Sequence, residues 1–155
     1  MTNMSEVSDM KVIVFQLMNK EYAIGLDVVE SIEKSLTITR VPRMPSYVKG
    51  VLNLRGVVTP VVDLRERFDM EPKEFDESSC IIIVSHAESE VGLIVDDAND
   101  VMDVPTSAIG PQPEVVGSVE SEFISGVAKV DKRLLVMLNL EKVLQPIKKV
   151  NTDEF

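Results

Sequence analysis

Tyr22-Ala23-Ile24-Gly25-Leu26-Asp27 recurs about 69 residues downstream as Val91-Gly92-Leu93-Ile94-Val95-Asp96, and this recurrence decides the fold. In the same register Ile32 meets Val101 and Pro42 meets Pro111. A shift of about 76 lays Val48-Lys49-Gly50-Val51 on Ile124-Ser125-Gly126-Val127, and Val61-Val62-Asp63-Leu64 on Met137-Leu138-Asn139-Leu140. Matches that keep one order along a chain mark an internal repeat. Two similar halves of about 70 residues predict two small barrels related by a rough two-fold. Asp63 and Asn139 each follow an apolar strand, where their side chains suit the N-cap of a short helix.

Outward from these blocks, short β-branched runs alternate with turn signals. Lys11 to Leu17, then Asn19-Lys20-Glu21, then Tyr22-Ala23-Ile24 predict two strands around a tight turn. Further runs are Leu36 to Val41, Val48 to Leu54, Val57 to Val62, Cys80 to Ser85, Val91 to Val95, Val101 to Val104, Phe123 to Val130 and Leu134 to Leu138. About ten strands at this spacing predict an all-β protein with a few short helices. Asp27, with Glu30 three residues on, predicts a capped helical segment through Ile32, and Asp63 with Glu66 repeats the pattern ahead of Phe68. The acidic run Asp96 to Asp100 is expected to be a capped helical turn at the surface.

The chain has 155 residues, which suits one compact unit with a proper core. It is 45% hydrophobic but has no Trp and only two Tyr, so aliphatic side chains must build that core. A single cysteine, Cys80, leaves no intramolecular disulfide and fits a reducing compartment. No apolar run reaches the roughly 18 residues of a spanning helix, and Met1 to Asp9 lacks the pattern of a secretory signal. A cytoplasmic protein without direct membrane insertion is expected. The net charge of −10 repels phosphate backbones and disfavours nucleic acid as a partner.

The residues offer little chemistry. His86 is alone, in the polar turn Ser85-His86-Ala87-Glu88-Ser89-Glu90, and Cys80 opens an apolar strand where a buried, inert thiol is expected. The acidic run lacks the glycine turn and distal Glu of a calcium loop, and the glycines sit singly. No catalytic residue, metal or cofactor is expected. Absence of chemistry points to a binding module. Arg40-Val41-Pro42-Arg43-Met44-Pro45 is held extended by its prolines. After it, Arg55-Gly56 interrupts the apolar stretch Gly50 to Pro60, predicting a strand, a tight turn that projects Arg55, and a second strand. Arginine is enriched at binding hot spots, so Arg55 is a candidate anchor.

Val41-Pro42 followed by Gly50-Val51-Leu52-Asn53-Leu54-Arg55-Gly56-Val57-Val58-Thr59-Pro60-Val61-Val62-Asp63-Leu64-Arg65 resembles the signature of the CheW family. Glu21-Tyr22-Ala23-Ile24 and Val91 to Asp96 are similar to that family too, and the likeness runs from about Val12 to Leu144. The resemblance implies two SH3-like five-stranded barrels. It places one intertwined domain at 10–150, with one barrel built from about 22–80 and the other from about 90–144 plus the N-terminal strand. Residues 1–9 are expected to be disordered and 151–155 frayed. It also implies a non-enzymatic adaptor of bacterial chemotaxis, smaller than the other proteins that contain this module. Its partners would be the regulatory domain of the histidine kinase CheA and the cytoplasmic tips of methyl-accepting receptors. Arg55 would then belong to the receptor-binding surface, with Asn53 and Gly56 shaping its turn. Val28, Val29 and Ile32, with Val101 and Val104 opposite, would line a groove for a helical receptor tip.

Two competing readings are a carboxylate-based hydrolase in a β-barrel and an SH3- or OB-like peptide-binding module. The first requires a deep pocket with perturbed carboxylates. The second, as a nucleic-acid binder, would need stacking aromatics and a basic groove, which 5% aromatics and this net charge supply poorly.

Overall fold

In a computed structural model the described residues are 9–34, 37–111 and 120–144. The expectations for residues 1–8 and 151–155 lie outside them. Asp9, expected in the disordered segment, opens the first strand. Eleven strands are described: β1 (Asp9–Leu17), β2 (Lys20–Gly25), β3 (Val29–Glu33), β4 (Val48–Leu54), β5 (Val57–Asp63), β6 (Cys80–His86), β7 (Ser89–Val95), β8 (Asp97–Pro105), β9 (Ile109–Gly110), β10 (Ile124–Val130) and β11 (Arg133–Leu138). Short helix α1 (Leu64–Arg67) follows β5, and residues 140–144 are helical after β11. Of the expected N-caps, those at Asp63 and Asn139 form. The Asp63 carboxylate accepts from the Arg65 N–H at 3.0 Å, and the Asn139 side-chain oxygen accepts from the Lys142 N–H at 3.2 Å.

Four two-residue turns close the hairpins. Met18-Asn19, Arg55-Gly56, Ala87-Glu88 and Asp131-Lys132 all hold both residues at positive φ. This is the mirror-image turn whose twist matches that of the strands it joins.

Two sheets result, with orders β8-β1-β2-β11-β10-β9 and β3-β6-β7-β5-β4. The first five strands of one match the five of the other. In each, pairings run antiparallel, antiparallel, parallel, antiparallel. Bulges coincide as well: β4 shifts register between Val48 and Gly50, and β10 between Ile124 and Gly126. This is the pseudo-two-fold that the repeat predicts.

The partition between barrels differs from the expected one. Hairpins are exchanged, so β1 and β2 join β8–β11, while β6 and β7 join β3–β5. The chain crosses over at Leu26–Val28 and again at Asp96 rather than near residues 22 and 90.

Side chains alternate between two kinds of core. Val12 and Val14 of β1 and Leu135 and Met137 of β11 turn into the first barrel; Ile81 and Ile83 of β6 and Val61 of β5 turn into the second. Their neighbours Ile13, Phe15, Leu17, Ile82, Val84, Val62, Val136 and Leu138 meet in one layer between the barrels. Strands buried on both faces read as continuous apolar runs. In the first barrel Val104 of β8 and Ile109 of β9 share a cluster. A flat sheet of that width would hold them about 24 Å apart at ~4.8 Å per strand, so the sheet is curled.

Four local expectations are overturned. Arg40 to Pro45 is not extended throughout, because the chain turns at Pro42-Arg43, with Arg43 at φ 68°. Asp27 to Ile32 is not a capped helix. A single 3-10 turn, Leu26–Val28, has no side-chain cap, and Val29 already starts β3, whose β-branched residues pair along β6. Asp96 to Asp100 is not a helical turn, because the backbone from Asp97 is bonded to β1. Within the expected strand Leu36 to Val41, residue 36 is not among the described residues, and of the rest only Thr39 makes a bridge, to Val51.

Glycine is required where the bulges bring backbones together. A Cβ on Gly50, at φ 149°, would lie 2.1 Å from the Thr39 carbonyl oxygen, and one on Gly126 would lie 2.5 Å from that of Gly110. One on Gly110 would meet nothing within 4 Å. Gly50→Ala and Gly126→Ala should each cost on the order of 2–3 kcal/mol in urea unfolding, and Gly110→Ala about 0.5 kcal/mol or less. Equal midpoints for all three variants would contradict the close approach.

Candidate functional site

The candidate surface is best built from its arginines, because a chain of net charge −10 has carboxylates to spare for any arginine that merely needs one. Three of the six are committed to the fold. Arg65, on α1, holds Asp96 in a two-pronged pair, Nε to Oδ1 at 2.9 Å and Nη2 to Oδ2 at 2.6 Å, while its Nη1 donates to the Glu71 carbonyl at 2.8 Å. Asp96 sits at a chain crossing and also accepts the Met18 N–H of the β1–β2 turn at 3.0 Å. Burial works against the Asp96 charge, but the Arg65 guanidinium and the Met18 N–H outweigh it and hold the carboxyl below the usual range. Arg133 grips Glu21 with two bonds and reaches Asp100 with a third. Arg67 lies between the Tyr47 and Phe123 rings, 4.4 Å from each centroid, and donates to the Val143 carbonyl at 3.1 Å. There it ties α1 to carbonyls of the helical residues 140–144 and makes a cation–π contact with each ring.

Arg40, Arg43 and Arg55 are exposed and have no hydrogen-bond or ion-pair partner among the described residues. All three fall between residues 40 and 55. Two of them also occupy left-handed backbone, Arg55 at φ 50° and Arg43 at φ 68°. Such a backbone costs a side-chain-bearing residue about 1–2 kcal/mol, and Asn or Gly would relieve it.

Arg55 stands at the tip of the β4–β5 hairpin as expected. The Asn53 side-chain oxygen accepts the Gly56 N–H at 3.0 Å, and Gly56 takes φ 83°, so both residues shape the turn. Around it Val57 and Val58 are 48% and 55% exposed. An accessible cation near exposed apolar side chains is a docking feature, since arginine is enriched at binding hot spots.

The five valine and isoleucine candidates divide. Val28 and Val29 are half-buried and pack on the central layer. Ile32 and Val101 lie 40% and 55% exposed on the outer strands β3 and β8 of different sheets. Val104 is fully buried among Val12, Val14 and Ala128, so it cannot line a docking surface. Alternation along β8 explains the difference: odd residues 101 and 103 face out, and even residue 104 faces in.

Sequence reasoning missed the exposure of Val57, Val58 and Leu134. The 76-residue shift that pairs Val58 with Leu134 was the available signal. The same shift sets Asp131 against Arg55 and Lys132 against Gly56, so the two tips differ in charge: a lone arginine on one barrel, an acid beside a base on the other.

Cys80 is buried and its thiol is pushed up by that burial. His86 sits half-buried beside the Ala87-Glu88 turn. Burial also pushes up the Asp63 carboxyl, whose oxygen serves as the α1 cap. No three His, Cys, Asp or Glu side chains among the described residues are grouped to hold a metal.

A model of the CheW-like domain family matches residues 11–148. A Bacillus subtilis (strain 168) protein named Chemotaxis protein CheW is 46% identical over 134 residues, covering 86% of each chain. A protein of the same name from Klebsiella aerogenes is 33% identical over 132 residues, covering 85% of this chain and 80% of that one. The crystal structure of the scaffolding protein TtCheW from Thermoanaerobacter tengcongensis superimposes with a TM-score of 0.83 at 31% identity, covering 88% of this chain and 93% of that one.

Two measurements check the assignment of arginines to fold or surface. Arg55→Asn should leave the fold intact and raise stability slightly, by about 0.5 kcal/mol, because Asn suits the left-handed corner. Asp96→Asn should lose roughly 2–3 kcal/mol at pH 7. The Asp96 carboxyl has a lower pKa folded than unfolded, so its stabilisation is complete above about pH 4 and vanishes as pH falls through the folded value. The gap between wild type and Asp96→Asn should therefore close in acid; a gap independent of pH would contradict the pair.

Proposed function

Because the chain belongs to the CheW-like domain family, we propose that it is a non-enzymatic adaptor of bacterial chemotaxis, coupling methyl-accepting receptors to the histidine kinase CheA in the cytoplasm. The observation that carries this reading is the Arg55 tip, an unpaired guanidinium on a left-handed turn, followed in the chain by exposed Val57 and Val58 and set within the family's Asn-Leu-Arg-Gly block. Ile32 and Val101 add exposed apolar contacts for a receptor helix. Val28 and Val29 act behind them by fixing the β2–β3 crossing. No helix among the described residues is long and apolar enough to span a membrane, so recruitment to receptors at the membrane would run through such protein contacts.

An adaptor of this kind works by position. It raises the effective concentration of kinase at receptor, and it transmits a signal by binding one receptor or kinase arrangement better than another. A body whose two barrels share one packed layer suits that task, because load applied to one barrel reaches the other without a flexible linker.

Reconstitution tests it. Wild-type protein should co-sediment with receptor-bearing membranes and kinase, and should restore receptor control of kinase activity. Arg55→Glu should weaken the assembly by about tenfold or more while keeping the wild-type unfolding midpoint. Normal assembly by Arg55→Glu would remove Arg55 from the receptor surface; no assembly by wild type would sink the adaptor reading.

A further inference from the structure

Arg55 accounts for one of the three unpartnered arginines, and the other two lie elsewhere. Arg40 and Arg43 line a groove of about 550 Å3 together with Pro42, Pro45, Val48 and Lys49. Lys49 is neutralised by Glu66, which leaves the two arginines as the open charges of the groove. Val48 and Lys49 begin β4 and Arg55 follows its end, so the groove and the Arg55 tip stand about 20 Å apart along one seven-residue strand. That separation exceeds the reach of a single acidic cluster.

Local geometry argues that the groove is built for use. Pro42 followed by Arg43 at φ 68° is a turn whose second corner glycine would fill without strain. Pro42 and Pro45 fix their own backbone and keep Val41 and Met44 extended, so the two guanidiniums are displayed on a stiff segment. Guanidiniums match carboxylates in two-pronged pairs. On a chain of net charge −10, an open cationic groove is also the place where an acidic group is drawn in while the remaining surface repels it.

We propose that the Arg40–Arg43 groove is a second docking surface that takes a carboxylate-bearing segment of the kinase partner. This rests on the adaptor reading above: two partners need two surfaces, and the Arg55 tip is given to the receptor. The groove then contributes mainly to encounter rate and orientation, with a marked dependence on salt.

The test uses the whole chain with the substitutions Arg40→Gln and Arg43→Gly combined. Gly relieves the left-handed corner, so folding should be preserved, and an unfolding midpoint at or above that of wild type checks it. Binding to purified kinase and to a receptor cytoplasmic fragment is measured separately by calorimetry, at about 50 and about 200 mM salt. The double variant should bind kinase about tenfold more weakly at low salt and lose most of the salt dependence, while binding the receptor fragment within about twofold of wild type. Arg55→Asn should show the opposite pattern. Kinase binding unchanged in the double variant, or a loss confined to the receptor fragment, overturns the proposal and leaves the adaptor reading standing. Wild type that binds neither partner overturns both.

Discussion

The apolar layer between the two barrels is the constraint on which everything else rests. Among the described residues it takes twenty buried side chains, against seven inside one barrel and four inside the other. Neither barrel has enough interior to stand alone, since a unit of about 60 residues is marginal even with a full core. A row of rings runs through the layer, Phe15 to Tyr22 at 5.7 Å, Tyr22 to Phe68 at 6.0 Å and Phe68 to Phe123 at 5.2 Å. It joins β1 and β2 of one sheet to α1 of the other and on to the segment before β10. The exchange of hairpins makes this layer covalently unavoidable, because each sheet contains strands from both halves of the chain.

Much of this was legible in the residues. The 69- and 76-residue shifts exposed the duplication, and the bulge glycines Gly50 and Gly126 fall on each other in both sequence and structure. Hairpins, N-caps and the turn at Arg55 followed from local chemistry. What failed was local signal set against a distant partner. Asp27 and Glu30 look like a helix start, yet β6 offers a full row of backbone bonds to Val29–Glu33, and tertiary pairing wins. Asp96 to Asp100 failed for the same reason against β1. The exchange itself carries no local mark, since either assignment of the hairpins leaves the apolar pattern unchanged.

For the site, the sequence identified Arg55 but could not sort the valines. Val101 and Val104 belong to one apolar run, and only the register of β8 against β1 decides that one faces water and the other the core. Nor could it separate arginines held by carboxylates from arginines left open, because Asp96 lies 31 residues from Arg65 and Glu21 lies 112 from Arg133. Partnership between distant charges is a property of the folded chain. Once it is known, the remainder stands out: open guanidiniums on stiff or strained corners.

The exchanged hairpins also order the events of synthesis. Residues up to Val95 contain every strand of the second sheet, so all its pairing partners are present while the chain is still emerging from the ribosome, although its apolar face still lacks the other barrel. β1 and β2, although made first, must wait for β8 to β11: the outer edge of β1 has no native neighbour until β8 is released, and that of β2 none until β11 is. The earliest part of the molecule to be translated is thus the last to be enclosed, and during that interval a nascent-chain chaperone would have a defined segment, Val12 to Ile24, to shelter.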